Sequence, residues 1–144
     1  MNQTATLSAS DWRARAAALP INGRAFIDGQ YVAAASGATF DDVTPIDGRV
    51  IAQVASTDQA DVDRAVAAAR RAFESGVWSR QPPRERKRVL QRFAELILAH
   101  RDELALLETL DMGKPISDSL AVDIPATARC IAWYAEAVDK VYDE

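Results

Sequence analysis

The hydrophobic period of the chain changes near Ser56, and this change limits the fold more than any other feature. After it, apolar residues recur at helical spacing to the end of the chain. The first helical run puts five of them on one face: Val62, Ala65, Val66, Ala69 and Phe73. Before it, from Ile21 onward, the segments are short and extended. The sequence therefore predicts hairpins followed by helices, with little that could build a central parallel sheet. Because hairpins alone are marginal in water, something outside this chain is expected to supply a packing surface.

The extended part predicts two hairpins. In the first, residues 25–27 and 31–32 flank Asp28-Gly29, a dipeptide suited to a type I′ turn because glycine accepts positive φ. In the second, residues 39–43 and 50–54 are joined through a proline and glycine turn at residues 45–48. A short capped helix is predicted before both hairpins, at residues 8–19, and Pro20 ends it.

The later helices have clear start and stop signals. Gly76 closes the first, and Pro82-Pro83 opens the second, where first-turn amides need no internal partner. The chain bends or continues at residues 100–102, and Gly113-Lys114-Pro115 stops it. Pro125 interrupts the last helix, which predicts a kink or a fresh helix start near Ile124. The second helix has an apolar face of Val89, Leu90, Phe93, Leu96 and Ile97. The last helix, expected to lack its partner surface, has Ile124, Ala128, Ile131, Ala135, Val138 and Tyr142.

Composition narrows the class of protein. The 144 residues are 49% hydrophobic and 26% charged, the balance of a soluble globular domain. A net charge of -4 argues against nucleic acid as a partner. The single cysteine, Cys130, forms no internal disulfide and favours a reducing compartment. Residues 1–10 show no secretory signal, and no apolar run approaches the roughly 20 residues that span a bilayer. A cytoplasmic protein without a membrane partner is expected.

Local motifs give no catalytic site. Gly113-Lys114 lacks the spacing of a phosphate loop, and no G-x-G-x-x-G occurs, so this chain alone is not expected to hold a nicotinamide cofactor. Cys130 is interpreted as a buried small apolar residue rather than a nucleophile. His100 is interpreted as a capping or solvated residue near a helix end. The basic run is interpreted as a solvated helix face rather than an anion or RNA surface; it comprises Arg84, Arg86, Lys87, Arg88 and Arg92. By pattern alone, Asp41, Asp42 and Asp111 are turn and cap residues.

Three strings, read in order, carry a resemblance. They run from Phe26 to Tyr31, from Pro45 to Val54 and from Leu106 to Pro115. Together with residues 61–73 and Trp78, they resemble the opening of the aldehyde dehydrogenase superfamily. The resemblance covers nearly the whole chain from Phe26 onward. A narrower likeness, at residues 123–125 and 133–142, is to the bacterial γ-glutamyl-γ-aminobutyraldehyde dehydrogenases of putrescine breakdown.

The resemblance implies an α/β fold. Residues 1–20 would form an N-terminal helical arm, and residues 21–144 would supply the hairpins and outer helices that begin a Rossmann-like NAD-binding domain. In such enzymes a cysteine thiolate adds to the aldehyde, hydride passes to NAD or NADP, and water hydrolyses the thioester. All these catalytic residues would lie downstream of Glu144, so the segment alone is predicted to be inactive. A small (amino)aldehyde substrate and a homo-oligomer are expected for the full-length enzyme.

Two lesser sites follow from the resemblance. Asp42, Val43 and Asp111 match positions that supply oxygens to a structural Na⁺ or K⁺, and hard cations prefer oxygen ligands. Val122, Asp123 and Ala126 match a stretch that borders the aldehyde entrance. There, Asp123 would meet an amine-bearing substrate, or else it is a surface acid beside a packing alanine. The alternative function for the chain is a non-catalytic helical interaction module or pseudoenzyme.

Overall fold

The computed structural model describes residues 7–140. Its first element, α1 (Ala9–Ala18), confirms the predicted N-terminal helix. Ser8 accepts a hydrogen bond from the Asp11 amide, and the Asp11 carboxylate accepts one from the Ser8 amide, so the two form a capping box. No residue of α1 is buried, and its Arg15 reaches Asp102 at 3.1 Å. The helix therefore packs only lightly on the rest of the described chain.

Both predicted hairpins are present. Strands β1 (Ala25–Ile27) and β2 (Gln30–Val32) pair antiparallel, and φ is 54° at Asp28 and 76° at Gly29, as a type I′ turn requires. Strands β3 (Thr39–Val43) and β4 (Val50–Ala55) form the second antiparallel pair. The Gly23 carbonyl accepts from the Ala55 amide at 2.8 Å, which ties the chain before β1 to β4.

Helix α2 (Gln59–Ser75) begins at a second capping box, formed by Asp58 and Asp61. The Asp61 side chain is 1% exposed and also accepts from the Ala35 amide at 3.0 and 3.1 Å. These bonds hold the pKa of Asp61 below its ordinary value, with Arg64 assisting. A buried carboxylate therefore fastens the start of α2 to the segment after β2.

The predicted apolar face of α2 is largely exposed in the described part of the chain. The buried residues of the helix are Asp61 and Ala68, whereas Val62, Val66 and Phe73 are 49%, 61% and 62% exposed. Gly76 ends the helix in the left-handed conformation, as predicted. The apolar face exists, but no part of residues 7–140 covers it.

Helices α3 (Pro83–Ala99) and α4 (Arg101–Met112) meet at His100, where the chain bends. After α4 come α5 (Ile116–Asp118), a π-helical segment (Ser119–Asp123), here called the π turn, and α6 (Ile124–Ala137). The start of α6 at Ile124 confirms the prediction made from Pro125. The expectation that α6 lacks a partner was wrong, because α6 packs along α3. The predicted position of Tyr142 lies outside the described residues.

Small side chains make up much of the core. The buried apolar residues are Ala34, Ala68, Ala94, Ile97, Ala105, Leu106, Leu110, Ala128 and Ala135. On α3, Ala94 and Ile97 are buried, while Val89 and Phe93 remain about half exposed, so only part of the predicted face is covered. No helix within residues 7–140 is long and apolar enough to cross a membrane.

Candidate functional site

Two carboxylates from distant elements meet beside α4. Asp42 belongs to β3 and Asp111 to the last turn of α4, so the interpretation of both as turn or cap residues was wrong. Asp41 likewise lies in β3. Burial raises the pKa of Asp42, and the neighbouring Asp111 carboxyl raises it further by repulsion and hydrogen bonding. Tertiary packing, which a local pattern does not report, brings the two together.

The local backbone favours a cation at this pair. The β3–β4 ladder shifts register between Asp42 and Val43, and such an irregularity frees backbone groups from regular pairing. Asp111 lies at the carboxyl end of α4, where unpaired carbonyls and the helix dipole favour positive charge. Val43 is 49% exposed beside them.

The charge at this pair is not compensated by a basic side chain within residues 7–140. No lysine, arginine or histidine of that range forms an ion pair with Asp42 or Asp111. The same range contains no group of three or more histidine, cysteine, aspartate or glutamate side chains able to hold a metal. Two carboxylates with backbone oxygens suit a hard monovalent cation better than a transition metal.

The residues predicted for the aldehyde entrance lie on the π turn and the first turn of α6. Val122 is 57% exposed, whereas Asp123 and Ala126 are half-buried. The Ile124 amide donates to the Ser119 carbonyl, five residues back, as in a π-helix. Pro125 follows directly and has no amide hydrogen to donate. The wider turn thus places Val122 outward at the point where the proline interrupts the helix.

Asp123 is not a free carboxylate. Its Oδ2 accepts a hydrogen bond from Lys114 Nζ at 2.7 Å, and the same ammonium lies 3.5 Å from Glu108 Oε1. The hydrogen bond to Asp123 is the main cause of a raised pKa at Lys114. Sequence reasoning missed Lys114, because it considered that residue only as part of a phosphate loop. In the structure, Gly113 before it is the left-handed C-cap of α4.

A groove beside the carboxylate pair extends to Glu108 and Ile124. Asp42, Glu108, Asp111 and Ile124 line it together with apolar side chains of Ile21, Ile51, Leu104 and Leu107. Glu108, which contacts Lys114, therefore lies in the same groove as the carboxylate pair. Helix α4 is the element that relates them.

The other sequence candidates have structural explanations. Cys130 is exposed, so its interpretation as buried was wrong; it is two residues from the buried Ala128, about 200° around α6. His100 is exposed, with Nδ1 3.4 Å from Glu103. In the basic run, Arg84 and Arg88 are solvated as predicted. Lys87 is not, because its Nζ pairs with Glu136 of α6 at 2.6 Å, and Arg86 is half-buried.

Comparison with known sequences identifies relatives. The sequence model of the aldehyde dehydrogenase family matches residues 31–144. The chain is 53% identical over 133 residues to the NADP/NAD-dependent aldehyde dehydrogenase PuuC of Escherichia coli strain K12, covering 92% of this chain and 27% of that protein. It is 48% identical over 140 residues to the aminoacetaldehyde dehydrogenase of Pseudomonas aeruginosa, covering 97% of this chain and 28% of the relative. The chain thus spans little more than a quarter of these relatives.

Solved structures agree. Indole-3-acetaldehyde dehydrogenase of P. syringae, in complex with NAD⁺, matches with a TM-score of 0.94 and 61% identity over 96% of this chain and 28% of that one. Gamma-glutamyl-gamma-aminobutyraldehyde dehydrogenase from Burkholderia cenocepacia matches with a TM-score of 0.93 and 59% identity, at the same coverage. These matches confirm the predicted fold class, an N-terminal segment of an α/β Rossmann-like fold. The chain belongs to the aldehyde dehydrogenase family.

Proposed function

We propose that the full-length protein oxidises an aminoaldehyde to a carboxylic acid with NAD⁺ or NADP⁺ through a cysteine thioester. The observation that carries this proposal is family membership over residues 31–144. The high identity to an aminoaldehyde-oxidising relative supports the substrate class. The catalytic cysteine and the nicotinamide site would lie downstream of Glu144, since the chain spans only 27% of its relative in Escherichia coli.

The residues of this segment do not fit a role in holding the nicotinamide cofactor. Phosphate groups of such cofactors are bound at a glycine-rich turn opening a helix, and no such turn occurs in the sequence. The one cysteine is an exposed residue in the middle of α6. In the proposal, the segment supplies outer helices, a cation site and one wall of the substrate entrance.

The cation site would consist of the Asp42 and Asp111 carboxylates and the Val43 carbonyl, holding Na⁺ or K⁺. Support comes from the carboxylate pair, which no basic side chain within residues 7–140 compensates, and from the raised pKa of Asp42, caused by burial and by the neighbouring Asp111 carboxyl. The cation would hold β3 to the end of α4. Its role would be structural.

The entrance wall would consist of Val122, Asp123 and Ala126. Support comes from the exposed Val122 on the π turn and from the small side chain of the half-buried Ala126, which would leave room for a substrate. The homo-oligomer, the cytoplasmic location and the division into residues 1–20 and 21–144 stay predictions.

Turnover tests the proposed reaction directly. The full-length protein is incubated with NAD⁺ or NADP⁺ and either an aminoaldehyde or an alkyl aldehyde of equal length, and absorbance of the reduced nicotinamide is followed. We expect reduction with both aldehydes and a higher kcat/KM for the aminoaldehyde. Absence of reduction with every aldehyde would reject the enzyme and favour the non-catalytic interaction module.

A further inference from the structure

The π turn is tied by side chains at both ends, to α4 at its start and to Lys114, just after α4, at its end. At its start, the fully buried Ser119 has its Oγ 3.2 Å from Thr109 Oγ1. At its end, Asp123 accepts from Lys114 at 2.7 Å. Val122, between the two ties, is exposed. The ties therefore fix the ends of the turn and leave its middle facing outward.

The π turn could instead adopt an α-helical register. A π turn is less favourable than an α turn, and a slip of one residue would restore α-helical spacing while rotating side chains by about 100°. Such a slip would turn Val122 away from its outward position and bring a neighbouring side chain there. Asp123, the next residue, is one such neighbour. Pro125 weakens the α-helical alternative, because in a continuous α-helix its ring would clash with the carbonyl of Ala121, four residues back. The contacts of Asp123 then decide which side chain faces outward.

The backbone at Lys114 is held firmly enough for its side chain to fix the position of Asp123. Gly113 closes α4, with its amide donating to the Thr109 carbonyl at 2.9 Å. A Cβ on Gly113 would lie 2.8 Å from Pro45 Cγ, so the backbone here rests directly on the turn between β3 and β4. Lys114 and Asp123 are both 32% exposed, and a charge-assisted hydrogen bond that is partly shielded from water is among the stronger side-chain contacts.

We propose that Lys114 is a positioning residue that keeps the π turn in register, so that Val122 rather than the Asp123 carboxylate faces the aldehyde entrance. The substrate part of this inference rests on the proposed function. The wall is then apolar at this point, and Asp123 does not bind the amine of a substrate. The methylene chain of an aminoaldehyde would contact Val122, and its charged amine would lie beyond this wall.

Hydrogen exchange of the full-length protein tests the register without turnover. Lys114→Met is compared with Lys87→Met, a matched control that breaks another lysine–carboxylate pair, Lys87 with Glu136 at 2.6 Å. We expect faster exchange in peptides covering residues 119–124 for Lys114→Met only. Lys114→Arg, which keeps the charge, should restore protection. Unchanged exchange in Lys114→Met, or equal acceleration in both methionine variants, overturns the inference even if no aldehyde is oxidised.

Kinetics test the consequence for substrates. In Lys114→Met we expect KM for a neutral alkyl aldehyde to rise on the order of tenfold with kcat little changed, because the wall is misplaced but the chemistry lies elsewhere. The released Asp123 should make the rise smaller for an aminoaldehyde, and adding Asp123→Leu should abolish that difference. If Lys114→Met leaves both KM values unchanged, or if Lys87→Met reproduces the rise, the positioning role is wrong.

Discussion

At the scale of single residues, the Asp42 and Asp111 pair makes a prediction about salt and pH. The pKa of Asp42 is raised above its ordinary value of 3.8, so the fold favours its protonated form. Without a cation, the stability that Asp42 contributes is present below its ordinary pKa and is lost as pH rises through the raised pKa. A bound Na⁺ or K⁺ would offset this loss, and its stabilising effect should therefore grow as pH rises.

The measurement is the melting temperature of the full-length protein in sodium or potassium chloride against choline chloride at equal ionic strength. We expect the alkali salts to raise Tm by about a few degrees near neutral pH and by less near pH 4. Asp111→Asn should remove the difference between the salts. Asp41→Asn is the control, because Asp41 is the neighbouring strand residue and bonds to Gln53 instead. A difference that survives in Asp111→Asn argues against the site.

Single residues also show where sequence reasoning stops. The capping signal at Ser8 is local, and the structure shows the predicted cap, whereas the second capping box, at Asp58, was not predicted. The pattern does not reveal that Asp61 also accepts from the Ala35 amide, because that contact joins residues far apart in the chain. The Asp42 and Asp111 pair is equally non-local, and only resemblance to a family named these residues together. Lys114 was missed because it was tested only as part of a phosphate loop, which does not reveal its contacts with Asp123 and Glu108.

At the scale of elements, the sequence predicted which helices and hairpins exist. It did not predict which face of each helix is packed. Turn and breaker residues such as Asp28-Gly29, Gly76 and Pro125 act on their own backbone, and the elements they bound are present. Which face of a helix is covered depends on a partner. Helix α2 exposes its predicted apolar face, and α6 has a partner that sequence reasoning did not foresee, because pairing with α3 is a long-range contact.

Gly23 gives a prediction for the packing of these elements. A Cβ at Gly23 would lie 2.1 Å from the Gln53 carbonyl oxygen of β4. The backbone would have to move to relieve this overlap. Gly23→Ala should therefore separate the chain from β4 and lose the bond between the Gly23 carbonyl and the Ala55 amide. We expect a loss of about 2–4 kcal/mol in the free energy of unfolding.

Gly37→Ala is the matched control for that loss. Gly37 has a φ of 71°, and an added Cβ there meets no atom within 4 Å. Its substitution should cost only the left-handed backbone strain, about 1–2 kcal/mol. Denaturant unfolding of the two variants of the full-length protein compares the effects. Equal losses would show that the chain at Gly23 is not closely packed on β4.

At the scale of the whole molecule, the burial pattern describes an outer layer. Within residues 7–140, six of the nine buried apolar residues are alanines, which contribute little apolar area. The large apolar side chains are instead exposed, including Phe73, Phe93 and Trp133 at 62%, 51% and 65%. Exposed apolar side chains in such number are typical of surfaces that meet another protein surface.

These exposed faces predict how the 144-residue segment behaves alone. We expect it to associate as its concentration rises, because α2 and α3 expose apolar rows that water does not solvate well. We also expect no NAD⁺ binding, since the segment has no phosphate-binding turn. Sedimentation velocity across a concentration series and calorimetric titration with NAD⁺ make the two measurements.

A variant separates association through these faces from general instability. Val66→Glu with Phe93→Glu places charge on exposed positions of α2 and α3 and leaves the buried Ala94 and Ile97 of α3 unchanged. It should reduce association of the segment without loss of helix content. In the full-length protein the same pair should lower Tm and soluble yield, because downstream residues would then cover both faces. A monomeric segment with a sharp melting transition would contradict this view, since it would show that the alanine core between α3 and α6 stabilises the fold unaided.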